Sequence, residues 1–472
     1  MIKNLQNIEH VYLIGIGGIG MSALARWFKA NGRSAWGYDK VQTTLTDTLE
    51  QEGISVHFED KVSLIPEDIL ENDTKSLIVY TPAVPEGHKQ LNFLRDAGFE
   101  VMKRSAVLGI ISNIYFTVAV AGTHGKTTTS SMLAHILNYT GQPCSAFIGG
   151  IAKNFESNLL LSKAALEDQV LVVEADEYDR SFLTLNPDIA VINSVEPDHL
   201  DIYGNDKNLK EAFIDFIGNI KKEGQLFIKK GAAPEIVKKL QANTNIRTFG
   251  IGIGDYAVDN IRKHKQGVIF DLINNSADDS MDDVTDLVLS MPGEHNLLNM
   301  AAAVTAALSV GLQPEKIRKA VATYTGVRRR FDFVVNNDKS VYIDDYAHHP
   351  TEIAAFLQGV KALYPSKKLT AIFQPHLYSR TRDFAVGFAE SLSLADALIL
   401  LDIYPAREKP IEGINSELIF NDIKCSEKWL LKDEELLAFI ENEPPELLVT
   451  IGAGDIDRFV EPIKKMYKGQ AT

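Results

Sequence analysis

Cysteine is nearly missing from this chain: Cys144 and Cys425 are the only two in 472 residues. Two cannot build a disulfide framework or a four-ligand zinc site, and they read as buried thiols in reducing surroundings. Long apolar runs are missing as well. No stretch approaches the roughly 18 residues of a membrane span, and the opening MIKNLQNIEH lacks the apolar core of a signal peptide. The expectation is a cytoplasmic chain with no membrane insertion. Basic residues are also in short supply, 48 Lys plus Arg against 63 Asp plus Glu, for a formal charge of -15. That deficit excludes nucleic acid as a bulk partner, because phosphate contacts need a basic surface. It leaves room for small anions held by local cations. Low-complexity segments and repeats of 20–50 residues are missing too, which excludes disordered tails and solenoids.

What is present is the composition of a soluble globular protein, 45% hydrophobic and 24% charged. The length corresponds to about three domains. A rhythm runs through it of short β-branched runs, a glycine turn, then a helical stretch. Val11–Ile14 leads into GIGGIG and a helix, and Leu77–Tyr80 is a second apolar run. Thr117–Val120 leads into AGTHGKTTT and another helix, with Val170–Val173, Ile189–Asn193 and Leu226–Ile228 as further buried strands. Ser340–Ile343, Leu369–Phe373, Ala397–Leu401 and Leu447–Ile451 form a later set, the last running into Gly452-Ala-Gly454-Asp455. Alternation of this kind predicts an α/β protein of mainly parallel sheets, with binding sites at the carboxyl ends of strands. Boundaries near residues 106 and 325 divide it into 1–106, 107–325 and 326–472. The acidic stretch Asp278–Asp286 reads as an exposed loop of the middle segment.

Gly15, Gly17 and Gly20 form G-x-G-x-x-G between a strand and a helix, with Asp39 at the end of the next strand. Such glycines let the backbone approach a pyrophosphate at a helix N-terminus, and the acid suits a ribose hydroxyl. The pattern specifies a nucleotide diphosphate without specifying nicotinamide. Gly122-Thr123-His124-Gly125-Lys126-Thr127-Thr128 is sharper, although Val120 stands where the strict phosphate-loop pattern has its first glycine. Backbone N–H groups there cradle phosphates, Lys126 neutralises them and a threonine hydroxyl suits Mg²⁺, which predicts ATP binding.

Glu174-Ala-Asp176-Glu177 closes one strand and Glu196-Pro-Asp198-His199-Leu-Asp201 the next, on the same sheet edge as the phosphate loop. Hard oxygen donors at that edge predict a divalent cation site. Asp198 and Asp201 read equally well as turn and cap residues, and His199 as a metal or water-linked ligand or a turn histidine. His295, Asn296 and Asn299 open a helix, where amides ordinarily cap. One of Arg328, Arg329 and Arg330 could meet a γ-phosphate, and three adjacent arginines cannot all point one way. Asp344-Asp345-Tyr346-Ala-His348-His349 and Gln374-Pro-His376-Leu-Tyr-Ser-Arg380 follow two later strands. Arg380 or Arg382 suits a substrate carboxylate; the paired histidines lack any zinc frame. One pyrophosphate ligand, one ATP with Mg²⁺ and one small carboxylate-bearing reactant together describe ATP-driven amide formation through an acyl phosphate.

The ordered segments GIGGIGMS, AGTHGKTTT, EADEYDRSF, EPDHLDIYG, PGEHNLLN, RRRFD, DDYAHHP and QPHLYSRT, spread over essentially the whole chain, resemble the Mur ligases of bacterial cell-wall synthesis. Within that family the likeness is to the alanine-adding branch. The resemblance implies an N-terminal Rossmann-like domain, a central phosphate-loop ATPase-like domain and a C-terminal Rossmann-like domain. They would serve UDP-N-acetylmuramate, ATP with Mg²⁺, and L-alanine in turn, in a monomer or homodimer that makes a peptidoglycan precursor. By resemblance Gly15, Gly17, Gly18, Gly20, Met21, Ser22 and Asp39 would hold the UDP-sugar. Gly122 through Thr128 with His295, Asn296, Asn299, Arg330 and Asp345 would hold ATP, and Thr127, Glu174 and His199 the metal. Lys126, Glu174, His199 and Arg330 would be catalytic, while Tyr346, His348, His376 and Arg380 would receive the amino acid. Sister ligases carry a carbamylated lysine where this chain has Phe213-Ile-Asp-Phe216, so none is expected. Two alternatives stand beside this reading: a ligase that recycles a whole murein tripeptide onto the same sugar, and an NAD(P)-dependent oxidoreductase, which would leave the second phosphate loop unexplained.

Overall fold

Runs such as HVYLI and VLVVE have side chains that must be buried on both faces, and only strands inside a covered sheet satisfy that. In the computed structural model, which describes residues 5–196, 200–240, 245–265, 267–276, 281–406 and 408–469, they do so in three sheets. The first holds β1 (His10–Ile14), β2 (Ser34–Tyr38), β3 (Ser55–His57), β4 (Ser76–Tyr80) and β5 (Glu100–Lys103). Its order is β3-β2-β1-β4-β5 and every pairing is parallel.

The second sheet holds β6 (Phe116–Ala121), β7 (Cys144–Ala152), β8 (Ser157–Leu160), β9 (Val170–Glu174) and β10 (Ile189–Ile192). It continues with β11 (Gln225–Lys229), β12 (Asn245–Ile251), β13 (Tyr256–His264), β14 (Gly267–Asn274) and β15 (Val284–Leu289). Its order is β15-β14-β13-β12-β11-β10-β6-β9-β7-β8, parallel from β13 through β7, with β14 and β15 added antiparallel at one end and β8 at the other. The third holds β16 (Asp332–Asn336), β17 (Val341–Asp345), β18 (Leu369–Phe373), β19 (Ala397–Leu400), β20 (Glu427–Leu430) and β21 (Leu447–Ile451). Its order is β16-β17-β21-β18-β19-β20, with only β16 antiparallel.

The chain packs as two compact units. One carries the first two sheets, through Leu289 and again over Leu298–Thr325; the other carries Ser290–Leu297 and the chain from Gly326 onward. In the first unit, buried residues of helix Ile19–Ala30 (Ala23, Leu24, Phe28) belong to one apolar cluster with Ala119, Leu171 and Ile192 of the second sheet. Asn158 on β8 donates to Ser22 Oγ at 3.0 Å and accepts from Arg26 at 2.6 Å, so polar bonds fix that junction too.

The structure adds a meander and a C-terminal helix to the sequence reading and changes it at one loop. The charged segment 256–289 forms a meander (β13–β15) whose first strand is buried only over Tyr256–Val258, so it carries no sustained alternation. The acidic stretch expected to be a loop becomes β15 from Val284, while residues 277–280 lie outside the described residues. β21 is followed, after a 3₁₀ turn Asp455–Phe459, by helix Val460–Gly469. Among the described residues no helix is long and apolar enough to cross a membrane.

Helix Asp206–Gly218 buries Phe213 and Phe216 against Phe182, whose ring meets them at 5.2 Å edge-on and 5.0 Å stacked. Phe182 is fully buried within the 3₁₀ turn Tyr178–Thr184 that follows Glu177. Removing it leaves a cavity under the carboxylate loop. Phe182→Ala is expected to destabilise the first unit by about 3–5 kcal/mol, measured by urea unfolding. A change below about 1 kcal/mol would contradict this packing.

Candidate active site

The first glycine loop follows β1. Gly15 turns at φ +86°, a conformation that glycine adopts without strain, and its N–H and that of Ile16 bond to the Tyr38 carbonyl. Gly18 caps helix Ile19–Ala30 with no side-chain partner, so the first-turn N–H groups are left for an anion. Asp39 accepts from Gly17 N–H at 2.7 Å and from Val41 N–H at 3.3 Å, which places its carboxylate against the loop itself. Met21 and Ser22 turn inward. Met21 joins the apolar core, and Ser22 donates to the Ile19 carbonyl and accepts from Asn158. Their contribution to a ligand would come through the backbone.

Sequence reasoning missed Arg104. A Cβ on Gly20 would lie 2.5 Å from its guanidinium, and the same group stands 4.0 Å from Asp176. Arg104, Glu174, Asp176, Ser181 and Thr184 line one small cavity of the first unit. Its only signal was a basic pair, Lys103-Arg104, after a strand end.

The second loop follows β6. Gly122 (φ +131°) and Gly125 (φ +80°) both need glycine geometry. Space demands it as well, since a Cβ on Gly125 would meet Asn299 Oδ1 at 2.3 Å and Asn193 Nδ2 at 2.8 Å. Ser194, at the end of the neighbouring strand, bonds Thr123 Oγ1 at 3.0 Å and accepts from His124 N–H at 2.9 Å. His124 also lies 3.5 Å from Glu196, and Thr128 is buried in the helix's first turn.

Lys126 Nζ donates to both oxygens of buried Glu177, at 2.8 and 2.7 Å. Burial pushes its ammonium down in pKa, but the carboxylates of Glu177, Asp176 and Glu174 outweigh that and raise it, so it is charged at neutral pH. Thr127 Oγ1 donates to Glu174 Oε1 at 3.0 Å, and Gly149 N–H donates to Oε2 at 2.8 Å. A Cβ on Gly149 would fall 2.4 Å from that carboxylate. Burial raises the Glu174 carboxyl, with Lys126 pulling it back. Asn299 accepts from Asn193 at 3.3 Å beside this loop. The metal residues proposed from sequence are thus partly assembled: Thr127 and Glu174 meet, whereas His199 and Asp198 lie outside the described residues. Among the described residues no group of three His, Cys, Asp or Glu forms a metal cage.

In the second unit the polar residues gather at the carboxyl ends of β17, β18, β19 and β21. His295 and Asn296 belong to the short N-terminal part of this unit. Asn296, inside the first turn of helix Glu294–Ser309, donates to the Pro292 carbonyl at 2.7 Å and does not act as the acceptor that a helix cap would be, and burial lowers the His295 pKa. Arg329 turns into the unit, donating to the Gly452 carbonyl at 2.6 Å and lying 3.3 Å from Asp344. Arg330 lies over the Tyr346 ring at 5.0 Å. Buried Asp345 accepts from Phe331 N–H at 2.6 Å and Ala347 N–H at 2.8 Å, so both its oxygens hold the backbone that carries Arg330 and Tyr346. Burial lifts its carboxyl to about 6, against Arg330.

Tyr346, His348 and His376 form a chain of rings, 5.4 Å and then 6.4 Å between centroids. His348 N–H donates to Glu352 Oε2 at 3.0 Å, and Nδ1 lies 3.1 Å from the Tyr346 carbonyl. Burial lowers the His348 imidazole to about 4, with Glu352 opposing and Arg380 and Arg330 assisting. It is therefore neutral at pH 7. Because the unfolded chain takes up this proton from the ordinary 6.5 downward, His348 withdraws stability progressively as pH falls from 6.5 to about 4. NMR of the ring signals is expected to show His348 neutral at pH 5.5, where an exposed histidine is mostly protonated. A midpoint near 6.5 would contradict the burial.

Three descriptions from known protein families match this chain in sequence: the Mur ligase family, catalytic domain over residues 10–116, the Mur ligase middle domain over 120–307, and the Mur ligase, glutamate ligase domain over 329–454. The UDP-N-acetylmuramate–L-alanine ligase of Christiangramia forsetii is 47% identical over 464 residues, covering 98% of this chain and 99% of that protein. Its counterpart in Parabacteroides distasonis is 48% identical over 464 residues, 98% of each chain. Among solved structures, the UDP-N-acetylmuramate-alanine ligase of Thermotoga maritima superposes with a TM-score of 0.80 at 25% identity, over 98% of this chain and 99% of that one. A murein peptide ligase from Psychrobacter arcticus shares the fold at a TM-score of 0.71 and 23% identity, over 97% and 98% of the two chains.

Proposed function

The chain belongs to the Mur ligase family, and we propose that it joins L-alanine to the lactyl carboxylate of UDP-N-acetylmuramate, converting ATP to ADP and phosphate. The near full-length likeness to alanine-adding ligases supports those substrates. The observation that carries the chemistry is the phosphate loop, with Lys126 and the Thr127–Glu174 oxygen pair at its head.

The sugar carboxylate attacks the γ-phosphate, ADP leaves, and the amine of L-alanine then displaces phosphate from the acyl phosphate to form the amide. Both partners in the first step are anions, so their approach must be offset by fixed positive charge. The N–H groups of the Gly122–Gly125 loop and the Lys126 ammonium supply it. Lys126 would exchange Glu177 for phosphate oxygens, and Glu177 keeps the ammonium placed and charged until then. Thr127 and Glu174 offer two hard oxygen donors that fit Mg²⁺, with His199 assigned beside them by resemblance. When bound, Mg²⁺ supplies Lewis-acid stabilisation of the transferring phosphoryl group. Gly15, Gly17, Gly18 and Gly20 are the proposed cradle for the UDP-sugar pyrophosphate. Arg330 is kept as the γ-phosphate cation on resemblance, since Arg329 is committed to the strand ends of its own unit. In the amine step His348, kept neutral by burial, can make an uncharged polar contact to the amino acid, and Tyr346, His376 and Arg380 complete the proposed amino-acid site. Functional boundaries near residues 106 and 325 remain part of this proposal.

ADP release is expected only when UDP-N-acetylmuramate, L-alanine and Mg²⁺ are all supplied, with L-alanine preferred over glycine, L-serine and the murein tripeptide. Robust ADP formation without the sugar or the amino acid would overturn the assignment. Lys126→Ala should abolish turnover while calorimetry finds UDP-N-acetylmuramate affinity within about threefold of the parent. Loss of both would place the sugar site on the wrong loop.

A further inference from the structure

Beyond the residues that resemblance assigns to the amino acid, a third strand end holds two of them in place. His376 and Arg380 both follow β18, on a turn whose backbone is not self-sufficient: Leu377 sits at φ +69° with no glycine to relieve it. Tyr404, after β19, braces this turn from both sides. Its N–H donates to the Pro375 carbonyl at 2.8 Å and its carbonyl accepts from Leu377 N–H at 3.0 Å, forming a parallel bridge with His376. Its ring then stacks on the His376 imidazole, 5.8 Å between centroids and 19° from parallel.

The seat for that ring is cut from the end of β21. A Cβ on Gly454 would lie 2.8 Å from Tyr404 Cβ, 2.9 Å from its Cγ and 2.4 Å from Gln374 Oε1. Glu408, four residues after Tyr404, takes hold of the next helix: its carboxylate accepts from Ser379 N–H at 3.0 Å and from the Ser379 hydroxyl. Ser379 immediately precedes Arg380, so the carboxylate satisfies a first-turn donor and fixes the start of the helix that aims the arginine.

We propose that Tyr404 and Glu408 are positioning residues of the amino-acid site, holding His376 and Arg380 respectively, with Gly454 reserved to seat the tyrosine ring. The inference rests on the amino-acid role proposed above for His376 and Arg380. Neither residue needs to touch substrate. Their effect falls on the acceptor amino acid because the bonds they make end on His376 and on the helix of Arg380.

The test is steady-state ADP release by the full-length protein, with ATP, UDP-N-acetylmuramate and L-alanine varied in turn. Tyr404→Ala and Glu408→Ala should each raise the KM for L-alanine roughly tenfold or more, leaving the KM values for the other two substrates within about twofold. Tyr404→Phe, which keeps the ring, should restore the parent value. An unchanged KM for L-alanine, or a parallel rise in all three, would overturn the proposal. A second readout does not depend on the acceptor: the ring-current shift of the His376 Hε1 proton should disappear in Tyr404→Ala and return in Tyr404→Phe. A parent protein without L-alanine-dependent turnover would refute the proposed function, whereas an Hε1 signal indifferent to both variants would refute the clamp.

Discussion

A lysine ammonium at the head of a helix is in an unfavourable place. The helix Lys126–Thr140 presents its positive end there, its first N–H groups point the same way, and burial strips water from the charge. Such an arrangement persists only if carboxylates are built around it. Glu177 meets Lys126 with both oxygens, and Glu174 and Asp176 add their field from the end of β9. A charged lysine held by an exchangeable carboxylate at a helix N-terminus is the feature on which the proposed phosphate role rests. Much else in the first unit keeps those partners in position: Gly149 and Thr127 on Glu174, Ser194 on the loop, and the Phe182 cluster beneath the turn that carries Glu177.

The second unit handles its charges differently. Its strand-end acids Asp344 and Asp345 are buried, the first beside Arg329 and the second bonded to backbone N–H groups, and burial lifts both to about 6. Asp345 and Arg329 act as tethers for the strand ends, and Arg330, Tyr346, His348, His376 and Arg380 are the groups proposed to meet the substrates. Burial keeps His348 uncharged below pH 6.5, where an exposed imidazole is mostly protonated, so it adds no positive charge beside Arg330 and Arg380. Each reacting side chain is thereby separated from the group that orients it.

Much of this was legible in the residues. The apolar runs of β1, β4, β6, β9, β10, β11 and β17–β19 with β21 are central and parallel, buried on both faces, and they announce themselves. The edge strands β8, β15 and β20, the antiparallel β14 and the half-exposed β13 do not, because they are short or only partly buried and carry no continuous apolar run. Glycines at Gly15, Gly122 and Gly125 were readable as phosphate-loop positions since motif spacing and positive φ coincide. Gly149 and Gly454 were not, because what excludes a side chain there is a carboxylate and a tyrosine ring from distant parts of the chain.

The partners of the site residues follow the same division. Lys126, Thr127 and Glu174 could be named from local pattern, as strand, loop and helix are contiguous in sequence. That Lys126 would be matched by Glu177, that Arg329 would be spent on Gly452 and Asp344, and that Arg104 would stand beside Gly20 could not. The sequence alone determined the α/β class, the two glycine loops and the family, because each is written in short contiguous segments whose order along the chain can be read directly. The tertiary structure alone decided which charges are paired, which histidine stays neutral and which glycines are obligatory. Those properties depend on burial and on contacts between strand ends that only the closed sheets bring together.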